Sequence, residues 1–398
     1  VEELALEGGG QEARGVLASE LDVPAELSRR RLRSRLLFAL GLIAVVVALV
    51  VLLPGLGELR ARLSRASPGW LAVGVALKVL SGLGYVAVFR SVFCQRMSWR
   101  VSYLIGMSEL GANALFPTGG AGGLALGAWA LRRGGMSARE IARRTVAFFL
   151  LTSVANVVGV IVLGLALAMG LLAGARNLAL TLLPACVAAL GIVAALLAGR
   201  AAARMQRRVE ERAPGARSRH ARALLGTLRA VAEGVRAGLA LLRRRDPVLL
   251  AGIVAYLLFD VMILWVAFRA FGPAPPVAVV ALAYLIGELG GLIPVPGGIG
   301  GVDAGLVGTL VLYKVSLVSA TAAVLVYRAI ALWVPALLGA IAFVGLRRTL
   351  RYEANEIAAC APQAEMDVIG RGRVLVRQPA RARAQAASSR ASSSKTPT

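Results

Sequence analysis

Six charged side chains stand inside stretches otherwise built of apolar residues: Lys78, Glu109, Asp260, Glu288, Asp303 and Arg328, with Asn113 and Asn156 as polar neighbours. An ionised group in hydrocarbon is costly, so such residues pair with one another or serve a ligand. Two glycine-rich turns interrupt the same apolar sequence, "SELGANALFPTGGAGG" at 108–123 and "GELGGLIPVPGGIGG" at 287–301. The backbone N–H groups of a glycine turn, with the positive end of the helix that follows, suit an anion. Together with Arg328 and Lys78 they point to recognition of an anionic group, for which a lipid phosphate entering sideways is a natural match. The competing reading is that the glycines let helices pack closely while the charges only pair. The candidate headgroup-cavity residues are Glu109, Asn113, Pro117, Gly119 and Gly120 in the first stretch. In and after the second they are Glu288, Pro296, Gly297, Gly298, Gly300, Asp303 and Arg328.

Enzyme chemistry fails on particulars. Neither turn is followed by Lys-Ser/Thr, so neither is a nucleotide-binding P-loop. The only histidine is His220, which rules out a Ser-His-Asp set. Cys94, Cys186 and Cys360 lie far apart, and with His220 they build no zinc site. No catalytic residue, metal ligand or cofactor is expected.

The elements that must position these residues are membrane helices. Of 398 residues, 58% are hydrophobic, and they come in long runs rather than in stripes. The run "LLFALGLIAVVVALVVLL" at 36–53 carries no charge and is long enough to cross a hydrocarbon core of ~30 Å. It ends at Pro54-Gly55 without a cleavage pattern and reads as a retained span. Comparable runs occupy 70–89, 145–172, 178–197, 248–271 and 319–344. The expected fold is an all-α polytopic membrane protein with about eight transmembrane elements: six full spans plus two re-entrant Gly/Pro hairpins.

The formal net charge is +24. In a soluble protein that balance suggests nucleic acid, but here the arginines collect beside the spans, at 29–35, 132–144 and 200–246, as the positive-inside bias requires. No aromatic residues interleave with them to stack on bases, so no nucleic-acid partner is expected. With the basic segments on the inner side, both termini are cytoplasmic and the location is the cell (inner) membrane. Residues 1–28 read as a polar cytoplasmic arm, 29–352 as the membrane domain, and 353–398 as a disordered basic, serine-rich tail. Within the domain the segment 200–247 is a basic cytoplasmic loop whose helix lies along the membrane surface.

The two halves, about 70–172 and 248–346, echo one another. "YVAVFR" ending at Arg90 matches "LWVAFR" ending at Arg269, and "YLIG" occurs at 103–106 and 284–287. Glu-Leu-Gly follows at Glu109 and Glu288, then Pro117 and Pro296, then "GGAGG" and "GGIGG". Arginine placement makes the two copies enter from opposite faces, which is an inverted repeat, a layout common in transporters.

"NALFPTGGAGG" followed by "LRRGGMS", and "LIPVPGGIGGVDAGL" followed by "AVLVYRAIALWVPALLG", resemble the lysylphosphatidylglycerol synthase transmembrane region, a flippase-like family, over about 36–350. The family forms the amino-terminal part of multiple peptide resistance factors, where it is thought to move aminoacylated lipid between leaflets. Stand-alone relatives are linked to export of hopanoid and polyprenyl-linked lipids. The resemblance implies a non-enzymatic translocator whose partners are anionic or polyprenyl-linked membrane lipids, with an envelope-biosynthesis protein as a further possible partner. Pro296, Gly297, Gly298 and Gly300 match the family's second turn, and Arg328 matches the arginine of its "YR". Asp303 stands where glutamate is usual. Asn113, Pro117, Gly119 and Gly120 match the first turn, but "LALGAW" replaces the acidic residue and arginine that many members place after it. Only residues 353–398 follow the last span, so the soluble aminoacyl-transfer domain is not expected. The rivals are a membrane enzyme acting on polyprenyl phosphates with Glu109 and Glu288 as its acids, and an adaptor for an envelope-lipid synthase. Undecaprenyl pyrophosphate phosphatases carry Ser and Arg beside the proline-glycine of their hairpins, and "PTGGAGG" and "PGGIGG" do not.

Overall fold

The computed structural model describes residues 57, 61, 64–115, 121–173, 181–187, 189–190, 193, 197, 201, 204, 219–290 and 301–352. The expected first span at 36–53, both terminal segments and the tips of both Gly/Pro turns (116–120 and 291–300) lie outside the described residues, as does part of the span expected at 178–197. The described secondary structure is helical. The longer helices are α1 (Pro68–Phe93), α2 (Trp99–Leu115), α3 (Ala121–Arg133), α4 (Ala138–Ala168), α5 (Arg219–Arg244), α6 (Pro247–Arg269), α7 (Val277–Gly290), α8 (Gly301–Leu312) and α9 (Leu317–Tyr352).

Local sequence sets the boundaries. Ser67 and Asp246 occupy the N-cap positions of α1 and α6, each followed by proline at the first helical position, where the missing N–H costs nothing. Asp246 accepts a hydrogen bond from Val248 N at 3.0 Å. Ser137 accepts from Glu140 N at 3.3 Å to start α4, and Ser316 accepts from Ser319 N at 3.3 Å to start α9. Among the described residues, α1, α4, α6 and α9 are long and apolar enough to cross a membrane. Their outward faces carry exposed apolar side chains, among them Leu83, Val162, Val254 and Ile341. Helices α2, α3, α7 and α8, at 17, 13, 14 and 12 residues, are each shorter than a full crossing.

The two halves repeat at a fixed interval. Gly134, Gly135 and Met136 donate to the carbonyls of Ala130, Arg132 and Leu131 at 3.1, 2.9 and 3.0 Å. Tyr313, Lys314 and Val315 donate to Thr309, Val311 and Leu310 at 3.1, 2.9 and 3.1 Å. Both are Schellman endings, and although Met169–Leu171 close α4 in the same way, these two copies are shifted by the 179 positions that also separate Ser81 from Asp260. The left-handed residue is Gly135 (φ 97°) in one copy and Lys314 (φ 64°) in the other. The "YLIG" words sit two residues out of this register, so they do not occupy equivalent places.

Helix pairings repeat as well. The most extensive contact joins α1 to its own counterpart α6. The first hairpin arm α2 packs on α9 of the other half, and reciprocally α7 packs on α4. Gly84 and Gly252 let α1 and α6 meet at backbone distance: a Cβ on Gly84 would lie 2.7 Å from Tyr256 N and 3.0 Å from Gly252 O. Ser67 N donates to Ala270 O at 2.9 Å, and Gln95 Nε2 donates to Asp246 Oδ2 at 2.6 Å. The start of each helix thus lies beside the end of the other, and the pair runs antiparallel.

Two apolar clusters fill the bundle. One gathers Phe89, Met97, Leu131, Met136, Leu249 and Leu350; it places the end of α1, the α3–α4 loop, the start of α6 and the end of α9 at one end. The arginines beside those segments, including Arg96, Arg133, Arg144, Arg244 and Arg347, are therefore collected at that end. The other cluster gathers Val160, Leu264, Leu282, Leu306 and Val324.

Helix α5, in the segment expected to be a basic loop with a surface helix, packs on α4. Gly234 and Gly238 seat it directly on α4: Cβ atoms there would meet Val146 at 2.5 Å and Leu150 at 3.0 Å. Small residues on its apolar face let it pack on a protein partner rather than on lipid. Cys94 is disulfide-bonded, which the wide sequence spacing of the cysteines gave no reason to expect.

Candidate functional site

The charged residues of the spans form a network where α1 crosses α6. Lys78 Nζ donates to both oxygens of Asp260, at 2.7 and 3.0 Å. Ser81 Oγ donates to Asp260 Oδ1 at 2.8 Å, and Tyr284 OH to Oδ2 at 3.3 Å. The Lys78 and Asp260 side chains are 9% and 5% exposed. Four hydrogen bonds from three residues satisfy this carboxylate, and Lys78 is spent on it. Lys78 is therefore a structural partner of Asp260 and not a free cation for a ligand.

Glu288, on α7, sits within electrostatic reach of Asp260, Arg328 and Lys78. Arg328, on α9, donates from Nε to Asp303 Oδ1 at 2.5 Å. Asp303 lies in the first turn of α8, directly after the second Gly/Pro turn. The Arg328 side chain is one-third exposed, while its Nη2 is buried and has no hydrogen-bond partner among the described residues. A guanidinium anchored through one nitrogen with another left open can receive an anion in a fixed orientation.

The first half is built differently. Glu109 is 5% exposed and hydrogen-bonds with Tyr85. A Cβ on Gly127 would lie 3.2 Å from its carboxyl, so α3 closes over it. Its Oε2 has no partner among the described residues. Asn113 Oδ1 accepts from Gly123 N at 2.9 Å, satisfying one of the free N–H groups in the first turn of α3. Asn113 thereby clasps the two arms of the hairpin, and its amide oxygen is committed to that role. The residues 179 positions before Asp303 and Arg328 are Leu124 and Phe149; the acidic–basic pair exists only in the second half.

Of the sequence candidates, Asp303 and Arg328 are brought together at the start of α8, with Glu288 within electrostatic reach of Arg328. Glu109 and Asn113 belong to the first hairpin. Pro117, Gly119, Gly120, Pro296, Gly297, Gly298 and Gly300 lie outside the described residues. Sequence reasoning missed Tyr85, Tyr256, Tyr284 and Tyr327. The Tyr284 and Tyr327 rings meet edge-on at 6.0 Å, and Tyr85 and Tyr256 lie 5.7 Å apart; the hydroxyls of Tyr284 and Tyr85 reach Asp260 and Glu109. The available signal was a tyrosine within apolar sequence close to a charged position, a buried ring with a polar tip.

The model of the lysylphosphatidylglycerol synthase transmembrane region matches residues 36–339. The chain belongs to this family. The matched range takes in both Gly/Pro turns, the Asp303–Arg328 pair and the Lys78–Asp260 network, so the whole site lies within the family's domain. No curated protein matches the chain.

Proposed function

We propose that the chain is a lipid translocator of the cell (inner) membrane, moving a phospholipid or polyprenyl-linked headgroup between leaflets. Two re-entrant hairpins, entering from opposite faces as an inverted repeat, frame the cavity in which the headgroup crosses. Support for the inversion comes from the antiparallel α1–α6 pair. Two equivalent spanning helices that run in opposite directions cross the membrane in opposite senses. Support for the sidedness comes from the arginines gathered at one end of the bundle, the cytoplasmic end under the positive-inside bias.

The observation that carries the reading is Arg328, fixed through Nε to Asp303 in the first turn of α8, with Nη2 unpartnered among the described residues. The phosphate accepts from Nη2 and from the N–H groups of the turn, while Asp303 holds the guanidinium in place. The test is transfer of a fluorescent phospholipid in proteoliposomes, read by dithionite bleaching of the outer leaflet. Arg328→Ala with Asp303→Ala slows transfer about tenfold or more, since a charge-assisted hydrogen bond contributes ~1.5–3 kcal/mol. Unchanged transfer in that double variant rejects the mechanism.

A further inference from the structure

A second charged site lies apart from the Lys78–Asp260 network, at the arginine-rich end of the bundle. The last turn of α1 and the loop after it, the first turns of α4 and the end of α5 enclose a cavity of about 500 Å³, within the usual size range for small-ligand sites. Arg96, Arg143, Arg144 and Arg244 line it against a single acid, Glu140. Glu140 is occupied: it accepts from Arg143 Nη2 at 2.7 Å and from Arg144 Nε at 2.5 Å. Arg96 and Arg244 form no ion pair among the described residues. Four guanidiniums against one carboxylate leave the cavity with a formal charge of +3.

Two polar groups in this wall are short of partners. Ser91 is 5% exposed, lines the cavity, and its buried Oγ makes no hydrogen bond among the described residues. Arg143 Nε is likewise buried and unpartnered. A buried hydroxyl and a buried guanidinium N–H without acceptors are costly, and an oxyanion accepting from both removes the cost. Neighbouring wall residues are apolar: Val92 from α1, Ala147 from α4 and Leu241 from α5. A cationic floor with an apolar wall, at the end of two candidate spans, fits an anion that carries a greasy attachment.

We propose that this cavity binds the phosphodiester of an anionic phospholipid in the arginine-side leaflet, with Ser91, Arg96, Arg143 and Arg244 as its donors. Glu140 acts as a positioning residue that holds the Arg143 and Arg144 side chains toward the ligand. Basic pockets between membrane helices on the cytoplasmic side are suited to such headgroups. The proposal rests on the membrane reading but not on transport, and it does not use Arg328 or Asp303.

The test is the thermal-unfolding midpoint of the purified full chain in non-ionic detergent, titrated with phosphatidylglycerol, phosphatidylcholine or inorganic phosphate. Phosphatidylglycerol raises the midpoint of the wild-type protein, and the other two do not. Arg96→Gln with Arg244→Gln keeps the basal midpoint, because neither residue forms an ion pair among the described residues, and weakens the phosphatidylglycerol response about tenfold or more. Ser91→Ala weakens it in the same direction. Arg347→Gln with Arg348→Gln removes as much charge outside the cavity and leaves the response intact. A response that survives Arg96→Gln with Arg244→Gln, or falls equally in the Arg347/Arg348 variant, overturns the site. An equal response to inorganic phosphate overturns its assignment to lipid. The titrations are made in an Arg328→Ala, Asp303→Ala background as well, where the proposed transfer site no longer takes a lipid phosphate and the response depends on the arginine cavity alone, so failure of the transfer mechanism and failure of this site are read separately.

Discussion

Ser81 Oγ donates to Asp260 Oδ1 at 2.8 Å across 179 positions of sequence, and 179 is also the interval at which the α3–α4 loop recurs as the α8–α9 loop. The two residues are each other's counterparts in the repeat, meeting where α1 and α6 cross. Under the proposed inversion, a contact between equivalent positions lies on the axis relating the halves. On that axis one copy has kept a hydroxyl and the other an acid, and Lys78 from the serine-bearing half neutralises the acid. The halves are alike in architecture and unlike in charge, and the charge sits where they touch.

That arrangement predicts an asymmetry among variants. Asp260→Ala leaves Lys78 buried without its counter-ion, and Lys78→Met leaves the carboxylate with hydroxyl donors alone. Each breaks a buried pair, which costs about 3–5 kcal/mol. Lys78→Met with Asp260→Leu removes both charges and replaces them with apolar volume, so it loses less than either single change. Thermal midpoints of the four proteins in detergent give the comparison. If the double variant loses as much as the two singles summed, the pair is not coupled.

The crossing of α2 and α9 predicts where bulk is forbidden. A Cβ on Gly111 would lie 2.7 Å from Gly339 Cα and 2.9 Å from Pro335 O, and one on Gly339 would lie 2.6 Å from Met107 O. Backbone atoms have nowhere to move. Gly339→Val therefore separates α2 from α9 and abolishes the monodisperse folded peak in size-exclusion chromatography. Gly308→Ala, where a new Cβ meets nothing within 4 Å, leaves the peak unchanged.

The Schellman ending predicts a gain. Lys314 holds φ 64° where its counterpart is Gly135. An L-residue in the left-handed region costs about 1–2 kcal/mol relative to glycine, while glycine gives back part of that in chain entropy. Lys314→Gly raises the thermal midpoint by a few degrees. Gly135→Ala lowers it, and a rise there would contradict the assigned backbone geometry.

The spans at 70–89, 145–172, 248–271 and 319–344 were legible because an apolar run long enough to cross a bilayer admits few other folds even when charged residues stand in it; their caps at Ser67, Ser137, Asp246 and Ser316 were found in the structure. The ends of α2 and α7 were legible too, since proline clustered with glycine follows each, whereas Pro335 and the isolated helical glycines do not break α9 or α1. The site was legible only in part. Charged residues inside apolar sequence announce themselves, but nothing local says that Lys78 will find Asp260 182 residues away and be unavailable to a ligand. In the sequence Asn113 stands out as a polar neighbour and as a match to the family's first turn, and the hydrogen bond its Oδ1 accepts from the N–H of Gly123 had no local signal. The arginine cavity was hidden for a different reason. Its residues come from three segments whose basic character was already explained by sidedness, and an arginine facing a pocket has the same sequence signature as one facing water.

Ala138 and Leu317 test the inversion itself. Both are the first residues of their helices, both are exposed, and they are equivalent at the 179-residue interval. Ala138 starts α4 at the arginine-rich end, beside Met136 in the cluster that also holds Leu350. Leu317 starts α9 close to Tyr313 and Ala320, in the opposite cluster. In a chain freed of Cys94, Cys186 and Cys360, Leu317→Cys is labelled in intact cells by a membrane-impermeant maleimide. Ala138→Cys is labelled only after the membrane is opened. A parallel duplication would put both on one side, because equivalent helices would then start from the same face. Labelling of both cysteines in intact cells, or of neither, would therefore rule out the opposite entry of the two hairpins on which the proposed cavity depends.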